Sequence, residues 1–266
     1  MMVNPIIIPA HTHVSLPISL ADYHAEKISI MVGDDAQVQI IDECLMPVVL
    51  EIHLGARAHL IFQHQRSWQD QSGTWQLRVH CASESYFEAY VSIHGGALVT
   101  YDLALDMHGY KSQARVQVAL IASGEQKVAI NSLQQHSGTH ATSIISTRGI
   151  IGNAGQASYK GTIVIQDSAH HTDAAQETKF LLDGIQARAD AQPILEVLTN
   201  NVQAKHGAAV GQFDVVQCAY LQGRGLALEQ ARCLIAQGFL SEITHDAHKD
   251  FIQQAVHTTL SYHHEK

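Results

Sequence analysis

Charge is scarce in this chain. Only 15% of its 266 residues are Asp, Glu, Lys or Arg, against roughly a quarter in an average soluble domain. The 16 basic residues are outnumbered by 25 acidic ones, for a formal charge of −9. That balance argues against nucleic acid or anionic membrane as a partner, since both call for a basic patch. Cysteine is also sparse: Cys44, Cys81, Cys218 and Cys233 show no C-x-x-C spacing. Neither a zinc ribbon nor a thioredoxin-type pair is supported. No run approaches the ~20 apolar residues that span a bilayer. The opening MMVNPIIIPAHTH lacks the basic start and long apolar core of a secretion signal. The expectation is a cytoplasmic protein with reduced thiols. Walker A, G-x-G-x-x-G and G-x-S-x-G phrases are missing too, so nucleotide hydrolysis and acyl transfer are not expected.

What the chain does have is alternation. Lys27–Val32, Gln37–Ile41, His59–Gln63, Ala114–Ile121, Lys127–Ile130 and Thr162–Ile165 place apolar, often β-branched residues at every second position. Such runs are strands with one buried face. Gly33-Asp-Asp-Ala-Gln-Val-Gln-Ile and Gly55-Ala-Arg-Ala-His-Leu-Ile-Phe read as one phrase used twice, and Gly96-Ala-Leu-Val-Thr-Tyr as a looser third copy. Repeats of some twenty residues imply stacked coils. Two-residue hairpin turns are nearly absent, which favours a parallel β-helix over a sandwich. The fold class is therefore mainly β: a right-handed parallel β-helix over residues 1–213, with a C-terminal helical cap over 214–266.

The character changes after Asp214, a good helix N-cap. Val215–Leu221 and Ala227–Ile243 read as helices joined by the turn Gln222-Gly-Arg-Gly225, and Asp246–Tyr262 as a weaker third. In the second helix Ala231, Leu234, Ile235, Gly238, Phe239 and Ile243 form one stripe. Helices here would shield the unpaired strand edges that end a stack.

Nineteen histidines could serve metal binding or pH response, but they are scattered. His136 and His140 have H-x₃-H spacing, which makes a metal pair only on a helix. Their strand-and-loop context, like that of His170-His171, favours structural or solvent-facing roles. His80 and Cys81 are adjacent on a strand and must face opposite sides. Cys218 and Cys233 read as core.

The last third carries ordered phrases: His136-Ser-Gly-Thr-His-Ala-Thr-Ser143, Arg148-Gly-Ile150, Tyr159-Lys-Gly-Thr-Ile-Val-Ile and Thr172-Asp-Ala-Ala-Gln176. They continue with Leu181-Leu-Asp-Gly-Ile-Gln-Ala, Pro193-Ile-Leu-Glu-Val, Lys205-His-Gly-Ala-Ala-Val-Gly211 and Tyr220-Leu-Gln-Gly-Arg-Gly-Leu226. In this order they resemble the SufB/SufD family of iron–sulfur cluster assembly scaffolds, on the SufD-like side. The likeness is close from about 130 to 243. It implies a non-catalytic scaffold that pairs with a SufB-type subunit and a SufC-type ABC ATPase; the alternative is a homodimeric interaction module without cluster chemistry. The iron–sulfur cluster would be transient and shared with the partner, with none bound tightly by this chain alone. The resemblance marks His206 and Gly207 as the cluster-assembly interface, His206 being a transient metal ligand. It marks Tyr220, Leu221, Arg224, Gly225, Leu234 and Phe239 as the ATPase seat.

Three departures stand out. The N-terminal helical domain usual in the family has no room here, Ala204 stands where relatives often carry Cys, and Asn200-Asn201 replaces the usual Asp-Asp. Outside the family, the rival reading is a β-helix carbohydrate-active enzyme. That chemistry needs clustered Asp with Arg or Lys on one face, and Asp is sparse in the coils.

Overall fold

The computed structural model describes residues 5–23, 25–43 and 49–261. Cys44 and Tyr262 lie outside them. Strands alternate between two eight-stranded sheets, and every pairing is parallel. The odd sheet holds β1 (Ile6–Ile8), β3 (Lys27–Val32), β5 (Val49–Leu54), β7 (Ser72–Cys81), β9 (Leu98–Met107), β11 (Lys127–His136), β13 (Gln156–Ile165) and β15 (Arg188–Val197). The even sheet holds β2 (Ile18–Ser19), β4 (Gln37–Asp42), β6 (His59–Gln69), β8 (Tyr86–Gly95), β10 (Gln113–Ala122), β12 (Thr142–Gly152), β14 (Asp173–Asp183) and β16 (Gln203–Gln212). One odd and one even strand make a coil, and successive coils stack strand on strand. This is the parallel β-helix that the alternating runs imply.

Each coil turns from odd to even strand through the same corner. Asp35, Arg57, Glu84, Lys111, His140 and His171 all sit there with φ between 54° and 59°. A buried small residue follows each: Ala36, Ala58, Ser85, Ser112, Ala141 and Thr172. Its amide closes the turn, as in Ala36 N–H to the Gly33 carbonyl at 3.2 Å and Ser112 N–H to Gly109 at 3.3 Å. A left-handed non-glycine residue costs ~1–2 kcal/mol, a cost repeated at these six corners. The Gly33 and Gly55 phrases are two of these corners. Gly96 is not a third copy: it lies at the opposite corner, between β8 and β9, with φ of +115°. The true further copies start at Ala82, Gly109, Gly138 and Ala169, where small side chains and varied spacing hide the repeat.

Glycine serves close approach at these corners. A Cβ on Gly138 would stand 2.4 Å from the Gly109 carbonyl oxygen and 2.6 Å from that of His108. Backbone cannot yield as a side chain would, so Gly138→Ala is expected to destabilise the fold by about 1–3 kcal/mol. Gly207→Ala, with nothing within 4 Å of its Cβ, serves as the control. Denaturant titration of the two variants measures the difference.

The inward positions form one core running through the stack. Trp68, Trp75, Tyr101, Phe62 and Phe87 fill its middle coils. Toward the C-terminal end it becomes polar, with Ser132, Gln134, His136, Ser143, Thr147, Gln176 and Thr178 all buried.

Three helices follow: α1 (Val215–Gln222), α2 (Leu228–Ser241) and α3 (Lys249–Ser261), the last preceded by a 3₁₀ turn at Asp246–His248. The Asp214 carboxylate caps α1, accepting from the Val216 and Gln217 amides. The helical cap covers the outer face of the even sheet, and the edge of the last coil stays bare. Ala119, Ile121 and Ile150 on β10 and β12 pack beneath Ala236, Leu240, Ile252 and Val256. This is why Val118–Ala122 reads as a continuous apolar run: both faces of β10 are covered. Arg148 ties the layers together. Its guanidinium donates to the Phe239 carbonyl at 2.7 Å and pairs with Glu242. The buried stripe of α2 is Ala231, Cys233, Ala236 and Leu240, whereas Leu234 and Gly238 are exposed. Small residues let the helix axis approach the sheet closely, so the large Leu234 turns outward. Among the described residues, no helix is long and apolar enough to cross a membrane.

Candidate functional site

The stack is not sealed at its C-terminal end. β15 pairs with β13 and β16 with β14, each along one edge. Among the described residues, neither strand has a neighbour in the sheet order on its other side. Coil interiors are built from alternate residues, so the last coil presents its inward row to solvent. Ala204 continues the row inside, against Ile163 and Ala174, along with Val202 and Leu195. Beyond it Val210 is 44% exposed and Val197 38%.

His206 belongs to this row. It stands in register with Gln176 of β14, and its side chain is exposed where Gln176 is buried. Gln176 donates to the Gly161 carbonyl at 3.1 Å and accepts from the Tyr159 hydroxyl at 3.4 Å. Tyr159 in turn contacts Ser132 Oγ at 2.8 Å. A polar column thus runs through the core to Gln176, whose register partner is the solvent-facing imidazole. Such a ring can offer a nitrogen lone pair to iron or move a proton. Gly207 beside it leaves open space. Ala204, in register with Ala174, places a methyl group in this row.

The other histidines separate as their strand positions require. His136 is fully buried inside the stack, in contact with Ser143 Oγ at 2.7 Å, and burial pushes it down to about 4. His140 sits at a corner and stacks on His171 at 4.5 Å. The H-x₃-H pair therefore does not converge. His80 faces outward and Cys81 inward, where burial raises the thiol to about 12. Cys218 and Cys233 are core.

On the helices, α1 buries Cys218 and leaves Val215, Val216 and Tyr220 exposed. The Arg224 guanidinium lies over the Tyr220 ring at 5.1 Å. Gly225, with φ of +96°, turns the chain toward α2. Leu221 is half-buried, and Leu234 is half-exposed on α2. Phe239 differs from the rest of the expected seat: it packs toward the sheet beneath Arg148, 5.0 Å away.

One buried cluster escaped the reading of the sequence. His64 bridges Asp42 and Tyr101, with Trp68 and Trp75 bonded at its two ends. Its members come from four strands, and no local phrase brings them together.

A parallel β-helix with an unsealed last coil and a helical flank is the class of protein that fold and site define. The model of the SufBD core domain, of SUF-system iron–sulfur cluster assembly, matches residues 19–239. The chain belongs to that family. The iron–sulfur cluster assembly protein SufD of Bacillus subtilis is 28% identical over 141 residues, covering 53% of this chain and 32% of the relative. SufD of Escherichia coli is 26% identical over 61% of this chain and 38% of the relative. An iron–sulfur cluster assembly SufBD family protein of Synechocystis is 25% identical over 74% and 44%. The chain spans less than half the length of these curated relatives.

Proposed function

We infer that this chain is a non-catalytic scaffold subunit of an iron–sulfur cluster assembly complex in the cytoplasm. The observation that carries this reading is the bare last coil. Two ten-residue strands offer unpaired edges beside exposed Val197, Leu198 and Val210. An uncovered edge of this kind is a template for another chain. The partner that fits is a SufB-type subunit presenting its own strand edge. The exposed α1 face, with Tyr220, Arg224 and Gly225, together with Leu221 and Leu234, is the seat for a SufC-type ABC ATPase. Phe239 supports that seat from below.

The cluster is cargo at the joint. Clusters are held mainly by cysteine thiolates, and the described cysteines of this chain are all buried. His206 therefore contributes one ligand, and the partner contributes the thiolates.

Anaerobic reconstitution with iron and sulfide tests this division. The chain alone should retain no stoichiometric cluster, while the mixture with a SufB-type subunit should hold one. His206→Ala should lower that yield severalfold with association intact. Arg224→Glu should weaken ATPase capture in a pull-down and leave the SufB-type pairing unchanged. A stable cluster on the isolated chain, or full yield with His206→Ala, would overturn the assignment.

A further inference from the structure

Strand stacking assembles a second constellation far from His206, on the outer face of the odd sheet. His53 of β5, His80 of β7 and Asp106 of β9 occupy successive register positions. Neighbouring strands lie ~4.8 Å apart, so these outward side chains form a ladder. The His53 and His80 rings stack at 4.5 Å with an interplanar angle of 8°. Glu51 precedes His53 by two residues on β5 and shares its outward face. Its Oε1 lies 3.6 Å from His80 Nε2 and 3.9 Å from His53 Nε2. Its other oxygen is held by Lys27 Nζ at 2.5 Å, which fixes the direction of the carboxylate.

We propose that Glu51, His53 and His80 form a binding site for a first-row transition-metal dication. Their three donor atoms lie within 4.8 Å of one another. Donors around an ion with ~2.1 Å bonds sit roughly 3–3.5 Å apart, so small rotations of the three side chains complete the set. Two imidazoles and one carboxylate on a single side of the ion leave positions open to water. That set suits Zn²⁺ or Fe²⁺ and not the all-oxygen coordination of Mg²⁺ or Ca²⁺.

A second observation points the same way. His80 Nε2 is shielded from solvent yet has no hydrogen-bond partner, and it is aimed at Glu51. A shielded nitrogen in that condition costs free energy, and a metal bond would satisfy it. The opposite nitrogen is already engaged: His80 Nδ1 meets Asp106 Oδ2 at 3.0 Å. Because the carboxylate accepts, Nδ1 carries a proton, so it is at Nε2 that the neutral ring presents its lone pair. This is the carboxylate–histidine arrangement that orients metal-binding imidazoles. Asp106 is thus a positioning residue. His108 Nδ1, 3.4 Å from Asp106 Oδ2, steadies it in turn.

The probes are Zn²⁺, and Fe²⁺ under anaerobic conditions, titrated calorimetrically into the full chain. One saturable equivalent is expected, with no comparable heat from Mg²⁺. His53→Ala and His80→Ala should each weaken binding at least tenfold. Asp106→Leu, which removes no ligand, should weaken it about 10- to 100-fold. All three side chains face outward, and far-UV circular dichroism should report an unchanged fold. The stacked pair at the corner supplies the control: His140→Ala/His171→Ala should bind as the unaltered chain does. Zinc-edge anomalous scattering should place the ion between Glu51, His53 and His80. Unchanged affinity in both single histidine variants, loss of binding in the corner variant, or an anomalous peak elsewhere would overturn the proposal.

Discussion

Replacing Asp42 with Ala is expected to lower the free energy of unfolding by about 3–5 kcal/mol. The reason lies in the direction of every proton around it. Trp68 Nε1 can only donate, and it does so to the Tyr101 hydroxyl oxygen at 2.9 Å. Trp75 Nε1 donates to Asp42 Oδ2 at 3.0 Å. The Asp42 carboxylate accepts from His64 Nδ1 at 2.9 Å, which leaves His64 Nε2 to accept from the Tyr101 hydroxyl at 3.0 Å. All donors thus lead toward one carboxylate. Asp42, His64 and Tyr101 are essentially inaccessible to water, so removing the acceptor orphans two buried N–H groups. The His64 ring also stacks on Trp75 at 4.4 Å, and disorder at one ring loosens the other. Asp42→Asn, which keeps an acceptor oxygen, should cost less than Asp42→Ala. Pairing Asp42→Leu with His64→Leu should recover part of the loss, because it removes the orphaned group as well as its partner. Equilibrium denaturation measures all of these. A loss below 1 kcal/mol for Asp42→Ala would show that the network does not hold the middle coils together.

Acid is the second large lever. Burial pushes His136 and His248 down to about 4, against roughly 6.5 for an unfolded imidazole. Above pH 6.5 neither state binds the proton, and stability is flat. Between pH 6.5 and 4 the unfolded chain takes up protons that the folded chain refuses, so stability falls as pH falls. Below 4 both states are protonated and the curve levels. A displacement of this size is worth about 3 kcal/mol per histidine, a large share of the ~5–15 kcal/mol that holds a typical domain. Each imidazole also has a hydroxyl to lose. Gln134 donates to Ser143 Oγ, which leaves the Ser143 proton for His136 Nε2. His248 Nδ1 contacts Ser92 Oγ at 2.9 Å, joining the helical flank to β8. Unfolding titrations at pH 7.5, 5.5 and 4.5 should show the decline, and His136→Gln should make it shallower by about half. A stability profile for His136→Gln parallel to that of the unaltered chain would remove this histidine from the account.

Much of the fold was legible because a half-buried strand writes its orientation into every second residue. Lys27–Val32 was bounded to the residue, and Gln37–Ile41 and Ala114–Ile121 to within one or two. Other runs were read short. His59–Gln63 continues to Gln69, because polar Gln63, His64 and Arg66 are buried and break the apolar alternation. On α2 the expected Ala231 and Cys233 are buried, but Leu234 and Gly238 of the expected stripe face outward, and Ala236 and Leu240 pack on the sheet in their place. His206 was singled out by a family phrase alone; its place at the end of an open stack was not visible in any local pattern.

The sequence by itself determined that this chain winds as a parallel stack and which family it belongs to. Alternation, small corner residues and a capped helix start are local signals, written within a few positions of where they act. Only the tertiary structure decided which residues meet across coils. His64 reaches Asp42 over 22 residues and Tyr101 over 37, and His80 reaches Asp106 over 26. Coil length varies, from 22 residues between the corner residues Asp35 and Arg57 to 31 between His140 and His171. No fixed period could therefore be counted along the chain to pair them. Scattered histidines become a ladder only when backbone hydrogen bonds set each coil in register on the one before.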